Sequence, residues 1–505
     1  MSNQRSLLCL AFVLAPSVWC QHVLVSEYNI ARTGAYVNEV TLTPGNVTPQ
    51  GFGRLGSYPV DNCVYAHPLY VQGALVNNST QPRNVVFILT TNASIYAYNA
   101  DAPYNLLGFV QGQFVNNPND SDVHNCATGS SSGPTGVLGT PAIDFQNHRL
   151  WYLLNRNTGT PQYILVGFDY TTFLNVAAIT LQAPGFVPAN LLQRTGVLFD
   201  FSQPLASVGF SSHQDAAPWQ GWVFTFNTGS FFQQGAINLS PNSGTSGAGV
   251  WMSGGGIATD GNSIYFTTGN LVGPGQNSPA PPEYPNSIVQ MPQAGTFVQA
   301  AYSVPAAEQQ AWNASDLDLG SSRAIVVPNT PYVMAGSKLG DLFIVANSAL
   351  QVRPHVCPGG GSVWSFYNGF ALWNNDVYTW CTNDNLKRFH FNDLLANNPN
   401  PLQAGNKLLG YQGANLAVSG NNGYNQANGL NGIVWATYPD GDAGGFGGGT
   451  LAAYNAQNVT APIYTSHLNN LNFQKFTPPV IANGKVYVAT ASRQVLIYGL
   501  GGQNP

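Results

Sequence analysis

The sequence predicts an all-β fold, a β-propeller of about eight four-stranded blades, with seven as the alternative count. Two observations carry that expectation. Strand–turn–strand units recur along nearly the whole chain, and 55 Gly and 34 Pro are enough to punctuate many short strands. Charged residues are scarce at 7%, against about 25% in a typical soluble domain. Hydrophobic residues still make up 44% and aromatics 12%, so the chain can fill a core and is not a disordered one. No run after residue 20 approaches the ~18 apolar residues of a membrane-spanning helix. The net charge is −5 and no basic cluster exists, which argues against a nucleic-acid partner, because phosphate binding needs grouped cations.

The first twenty residues read as a secretory signal peptide, with Arg5 before a short apolar run at 7–15 and small-residue-type cleavage positions at Val18 and Cys20. Gln21 is the expected mature N-terminus, and 21–505 the expected single domain. An uncleaved anchor is the alternative, but the run is shorter than a bilayer requires. Removing Cys9 and Cys20 leaves Cys63, Cys126, Cys357 and Cys381, an even number that suits two disulfides in a secreted chain. Of the three pairings, the local one is favoured, Cys63 with Cys126 and Cys357 with Cys381. Acceptor sequons at Asn46, Asn78, Asn92, Asn119, Asn238, Asn313 and Asn458 agree with export, although an Asn-rich chain produces some by chance.

The repeat unit is clearest at 84–98, where an apolar strand, a polar turn at 91–94 and a second strand follow in order. The same grammar returns at 483–498. Between them lie 148–154 with 163–168, then 221–226, 262–268, 332–347, 376–380 with 386–391, and 432–454. About eight units at roughly 60 residues apiece exceed the ~40–50 of compact propeller repeats and leave room for loops. Radial closure of such units leaves few exposed edges. A tandem of β-sandwiches would need linkers, and no composition shift marks any. The glycine-rich stretches 358–361 and 444–449 read as interblade loops, and the strand at 495–498 as one that pairs with the N-terminal segment to close the ring.

These units resemble the pyrroloquinoline quinone (PQQ) type of propeller repeat, best at 478–490, Pro-Pro-Val-Ile-Ala-Asn-Gly-Lys-Val-Tyr-Val-Ala-Thr. The order of landmarks is similar to that of the quinoprotein alcohol dehydrogenases: Tyr28, Asn29 and Arg32 precede Leu42-Thr-Pro-Gly-Asn-Val47, and His67-Pro-Leu-Tyr-Val71 follows. The resemblance runs from about residue 27 to 500, strong in strands and weak in loops. It implies PQQ lying flat in the central channel with Ca²⁺ at its polar edge, a Lewis acid on the quinone carbonyl held by several oxygen ligands. A carboxylate would then take the substrate hydroxyl proton.

Matched by order, the resemblance implies specific roles. Trp251 would be the floor beneath the cofactor ring, and Asn270, after Thr268-Gly269, a Ca²⁺ ligand. Asp215 stands where the family has a ligand Glu, with a shorter reach. Asp316 and Asp318 would supply the catalytic base and, at Asp316, a further metal ligand. Lys338 would contact the quinone oxygens and favour the reduced cofactor. Structural roles stand beside each of these: Trp251 as an interblade core ring, Asn270 as a turn residue, the two aspartates, at i and i+2, on one face of a strand or capping a turn, Asp215 as a loop residue and Lys338 as a turn lysine. His67, His148 and His467 show no metal-like spacing. Two departures matter. There is no adjacent cysteine pair over the cofactor, and no CxxCH for a haem, so the chain is also similar to secreted propellers of this type without assigned activity.

Two functions follow. One is a secreted PQQ- and calcium-dependent oxidoreductase acting on an alcohol or sugar. The other is a non-catalytic secreted propeller that binds glycans or proteins through its loops and channel mouth, with rings such as Trp364, Tyr367, Trp373 and Trp380 stacking on sugars.

Overall fold

The computed structural model describes residues 21–503 apart from 113–122, 214, 216, 243–245, 274–281, 294–298, 360–364, 368, 422–430 and 442–446. The signal-peptide reading, the Asn119 sequon and Trp364 lie outside the described residues. Apart from a two-stranded ribbon of Ser246–Gly247 with Leu271–Val272, the described strands form eight sheets around one axis, antiparallel within each blade, with Ala35–Tyr36 added in parallel to the seventh. In chain order these are blade 1 (69–110), blade 2 (142–180), blade 3 (198–238), blade 4 (258–303), blade 5 (324–352), blade 6 (371–404), blade 7 (415–472) and blade 8 (480–500). Alternating β-branched and aromatic residues with turn residues every few positions explain the elements. The 84–98 unit is the hairpin of Arg83–Leu89 and Ile95–Asn99, paired Val85 to Asn99 through Leu89 to Ile95.

Blade 8 has three strands of its own, and Phe52–Pro59 supplies the fourth, antiparallel to Gln494–Leu500. This is the closure expected for the last strand, and it hides Phe52 and Tyr58 completely. Phe52 packs edge-on to Tyr464 at 4.9 Å and near Trp435 of blade 7, so the closing strand is held by blade-to-blade packing as well as by backbone pairing. Gly448 and Gly449 open the third strand of blade 7, so the glycine run there joins two strands of one blade, correcting the interblade reading. The disulfides are Cys63–Cys126 and Cys357–Cys381, with Cα separations of 5.1 and 6.1 Å. Among the described residues no helix is long and apolar enough to cross a membrane.

The N-terminal segment threads the axis. Its backbone bonds in turn to the first strands of the blades: Val23 to Tyr70, Leu24 to Ile143, Ile30 to Thr259, Ala31 to Val326, Thr33 to Leu372 and Gly34 to Val418. Tyr28 reaches blade 8, donating to Pro479 O and accepting from Ile481 N. Arg32, fully buried, donates to the carbonyls of Ser26, Val197 and Ile257. Arg323 donates to the Arg32 and Phe370 carbonyls and pairs with Glu27. Gly256 leaves the space that Arg32 fills, since a Cβ there would lie 2.6 Å from Nη2. One irregular, turning segment thus satisfies inner-strand backbone groups that would otherwise be buried without partners.

Candidate functional site

A cavity of about 400 Å³ opens at one mouth of the channel. It is lined by loops that join second to third strands (Asp215, Asn270, Lys338) and by loops that link successive blades (Arg194, Trp251, Asp316, Asp318, Tyr367, Phe476). All six residues singled out from the sequence therefore face the same space. Trp373 and Trp380, considered for sugar stacking, are blade core instead, 2% and 3% exposed. They fill the wedge between blades 6 and 7, where the inner strands leave no solvent.

The polar centre is a cluster on Lys338. Its Nζ lies 2.7 Å from Asp316 Oδ2 and 2.7 Å from Asp318 Oδ2. Lys338 and Asp318 are nearly buried, whereas half of the Asp316 side chain is exposed. Burial alone would lower the lysine, but the two carboxylates outweigh it and hold the ammonium above its ordinary range. Burial, then the like charge of Asp318, pushes Asp316 up to about 7 against the pull of Lys338. A carboxyl in that range can exchange protons near neutral pH.

Local backbone chemistry sets these groups. Helix Ala306–Ser315, unforeseen in the sequence, ends at Asp316, whose φ of 53° is left-handed and whose N–H caps Trp312 O. Asp318 Oδ1 accepts the Asn270 N–H at 2.7 Å. Gly269 is required here, because a Cβ would collide with that carboxylate. Asn270 Nδ2 donates to Asp316 Oδ1 at 3.0 Å, and its Oδ1 accepts from Asn286. Asn286, fully buried, also donates to Gln309 of the helix and accepts from Leu319 N, tying three segments together. Asp215, also left-handed at φ 51°, accepts from Ser212 Oγ.

Trp251 sits not within a strand but at the entry to the short 3-10 turn Met252–Gly254. Trp219 meets it edge-on at 6.5 Å, and the Arg194 guanidinium lies over its ring at 5.5 Å and over Phe476 at 5.2 Å. Lys475 lies 4.8 Å above Phe476, and Tyr367 packs edge-on to Tyr411 at 5.0 Å. Sequence reading missed Arg194, Trp219, Tyr411, Lys475 and Phe476 as cavity residues. Phe476 stands two residues before the Pro478-Pro479 that opens blade 8, so its place on an interblade loop was the one signal available.

The three carboxylates do not all lie within 4.8 Å of one another. Among the described residues the one trio that does is Cys357, Cys381 and Asp384, and those cysteines are disulfide-bonded.

No protein-family model matches the chain, and no curated protein matches it by sequence. By structure it is similar to the quinohemoprotein alcohol dehydrogenase ADHIIG from Pseudomonas putida HK5, at 13% identity over 96% of this chain and 81% of that one, TM-score 0.64. It is also similar to a europium-containing methanol dehydrogenase, at 11% identity over 95% and 98% of the two chains, TM-score 0.61. The fold is therefore an eight-bladed β-propeller similar to the folds of those two dehydrogenases.

Proposed function

We propose that the chain is a quinoprotein-type oxidoreductase that dehydrogenates a small alcohol or sugar at the channel-mouth cavity. One observation carries this reading: side chains scattered from Asp215 to Lys338 line a single cavity that joins an indole wall to a buried acid–ammonium cluster. PQQ is a flat polyanion, and Trp251 offers it an aromatic face while Arg194, Lys338 and Lys475 offer positive charge. When bound, it would supply the two-electron acceptor. Asp316, half exposed to the cavity, would take the substrate hydroxyl proton. Asp318 and Lys338 would hold that carboxyl in place, and Asn270 would orient it through Nδ2. A calcium ion is a poorer fit to the protein alone: Asp215, Asn270 and Asp316 would be its oxygen donors, but the carboxylates of Asp215, Asp316 and Asp318 do not gather within 4.8 Å of one another, and Asn270 Oδ1 already accepts from Asn286. No step is assigned to it.

A second reading is favoured by Arg194, whose guanidinium already lies over the Trp251 ring, 5.5 Å from its centroid. On this reading the cavity binds a hydroxylated ligand without redox chemistry. Titration of the purified protein with PQQ, with and without Ca²⁺, followed by indole fluorescence and by dye-linked oxidation of alcohols and aldoses, separates the two. The oxidoreductase reading expects saturable quenching and dye reduction, both lost in Trp251→Ala and dye reduction lost in Asp316→Asn. Absence of quenching under either condition overturns it.

A further inference from the structure

A second cavity, about 540 Å³, lies between blades 2 and 3. Its walls are the turns joining first to second strands, at 144–149 and 200–204, and a turn joining third to fourth strands at 228–229. In an antiparallel meander these turns stand at the opposite ends of the strands from the loops that form the channel-mouth cavity. The two cavities therefore open on opposite faces of the ring.

We propose that this cleft is a binding site for a neutral carbohydrate. Phe145 and Phe201, both on its lining, are 36% and 42% exposed, bare phenyl rings on the turns of two neighbouring blades. Each ring is held by a neighbour, Phe145 by His22 at 4.3 Å and Phe201 by Phe199 at 5.5 Å. Rings fixed in this way present a flat apolar surface without further ordering cost. Planar hydrogen-bonding groups lie among them, the amides of Gln146, Asn147 and Gln203.

The polar rim is set by two buried carboxylates. Asp144 accepts from the backbone and side chain of Asn147 at 3.1 and 2.8 Å. Asp200 accepts from Ser202 N at 2.8 Å and from Gln293 at 2.8 Å. These bonds hold both turns in one shape, so the rings and amides keep their spacing. A pyranose ring has an apolar C–H face for the phenyls and equatorial hydroxyls for the amides, which is the combination present. Two acidic groups against a single lining arginine disfavour an anionic ligand. The volume is in the range of small-ligand sites.

The site stands independently of the proposed oxidoreductase activity. Its test is affinity electrophoresis of the full chain through native gels containing soluble β-glucan, xylan or galactomannan, followed by calorimetry with the matching oligosaccharide. The expected result is retardation by at least one polymer, weakened tenfold or more in Phe145→Ala/Phe201→Ala, kept in Phe201→Trp, and unchanged in Lys338→Met. Thermal melts of the phenylalanine variants close to the parent's, and a Lys338→Met transition lowered but still above the assay temperature, certify folding. No retardation by any polymer overturns the proposal. So does retardation indifferent to the phenylalanine changes, and so does loss only with Lys338→Met, which would place the sugar in the channel-mouth cavity.

Discussion

Arg323 and Glu27 meet on the axis of the ring, Nη1 to Oε1 3.1 Å, with side chains only 4% and 2% exposed. One immediately precedes the first strand of blade 5, and the other belongs to the N-terminal segment that every other blade but the third touches through backbone or Tyr28. Burial pushes the Glu27 carboxyl up, and Arg323 with Arg32 pulls it back. The pair therefore survives as ions only while both partners are present. Removing one leaves an uncompensated buried charge, which costs about 3–5 kcal/mol. Glu27→Ala is expected to lower the free energy of unfolding by that amount in urea titration. Glu27→Ala/Arg323→Met, which removes both charges, is expected to recover most of it.

His67 gives the stability of the fold a pH dependence. It is buried, and burial first, then the charges of Arg323 and Arg32, lowers its pKa to about 3 from an ordinary 6.5. A lowered folded-state value means that the unfolded chain binds the proton first. The neutral imidazole's contribution is thus complete above pH 6.5 and is lost as pH falls through the window from 6.5 toward 3. The slope is about 1.4 kcal/mol per pH unit for one such group. Urea midpoints between pH 7.5 and 5.5, where few carboxylates titrate, are expected to fall in the parent and to fall less in His67→Gln. Equal slopes in the two proteins would assign the acid sensitivity elsewhere.

The disulfides staple different spans. Cys63–Cys126 closes 63 positions and Cys357–Cys381 closes 24. Chain-entropy reasoning assigns about 4.3 and 3.4 kcal/mol to loops of those lengths. Replacing both cysteines of a bridge by alanine is expected to destabilise in that order, with the 63–126 variant the weaker of the two in thermal melts. Reversal of the order would mean that native packing around Cys357, not loop closure, dominates.

Much of the fold was legible because a blade is a local pattern. Apolar runs such as 84–98 and 483–498 state two strands and a turn within fifteen or so residues, and closure follows from repetition. Trp251, Asn270 and Lys338 were legible through the order of the segments that resemble the quinoprotein pattern, and all three line the cavity. What escaped reading depends on partners far apart in the chain. Helix Ala306–Ser315 buries little beyond Gln309 and Trp312, so no apolar stripe announces it. Arg32, Arg323 and Glu27 look like ordinary charged residues until the ring closes around them. Arg194 and Phe476 come from interblade loops, whose sequence carries no periodicity.

The Lys338 cluster separates into a strong and a weak partner on exposure alone. Lys338 and Asp318 are 10% and 11% exposed, so their 2.7 Å contact is little screened. Asp316 contacts the same ammonium at the same distance but is 52% exposed, and an ion pair with so much solvent contributes at most about 1 kcal/mol. Lys338→Met strands Asp318 beside Asp316 without a counter-ion, and a loss of about 3 kcal/mol or more is expected. Asp318→Asn keeps the shape and still accepts the Asn270 N–H, so Lys338→Met/Asp318→Asn is expected to be more stable than Lys338→Met alone. A double-mutant cycle on unfolding free energies then returns a coupling of about 1.5–3 kcal/mol for Lys338 with Asp318, and under about 1 kcal/mol for Lys338 with Asp316. Equal couplings would mean that Asp316 is drawn into the cavity in solution. Its carboxyl would then share the ammonium fully, leaving less freedom for the proton-accepting role proposed for it.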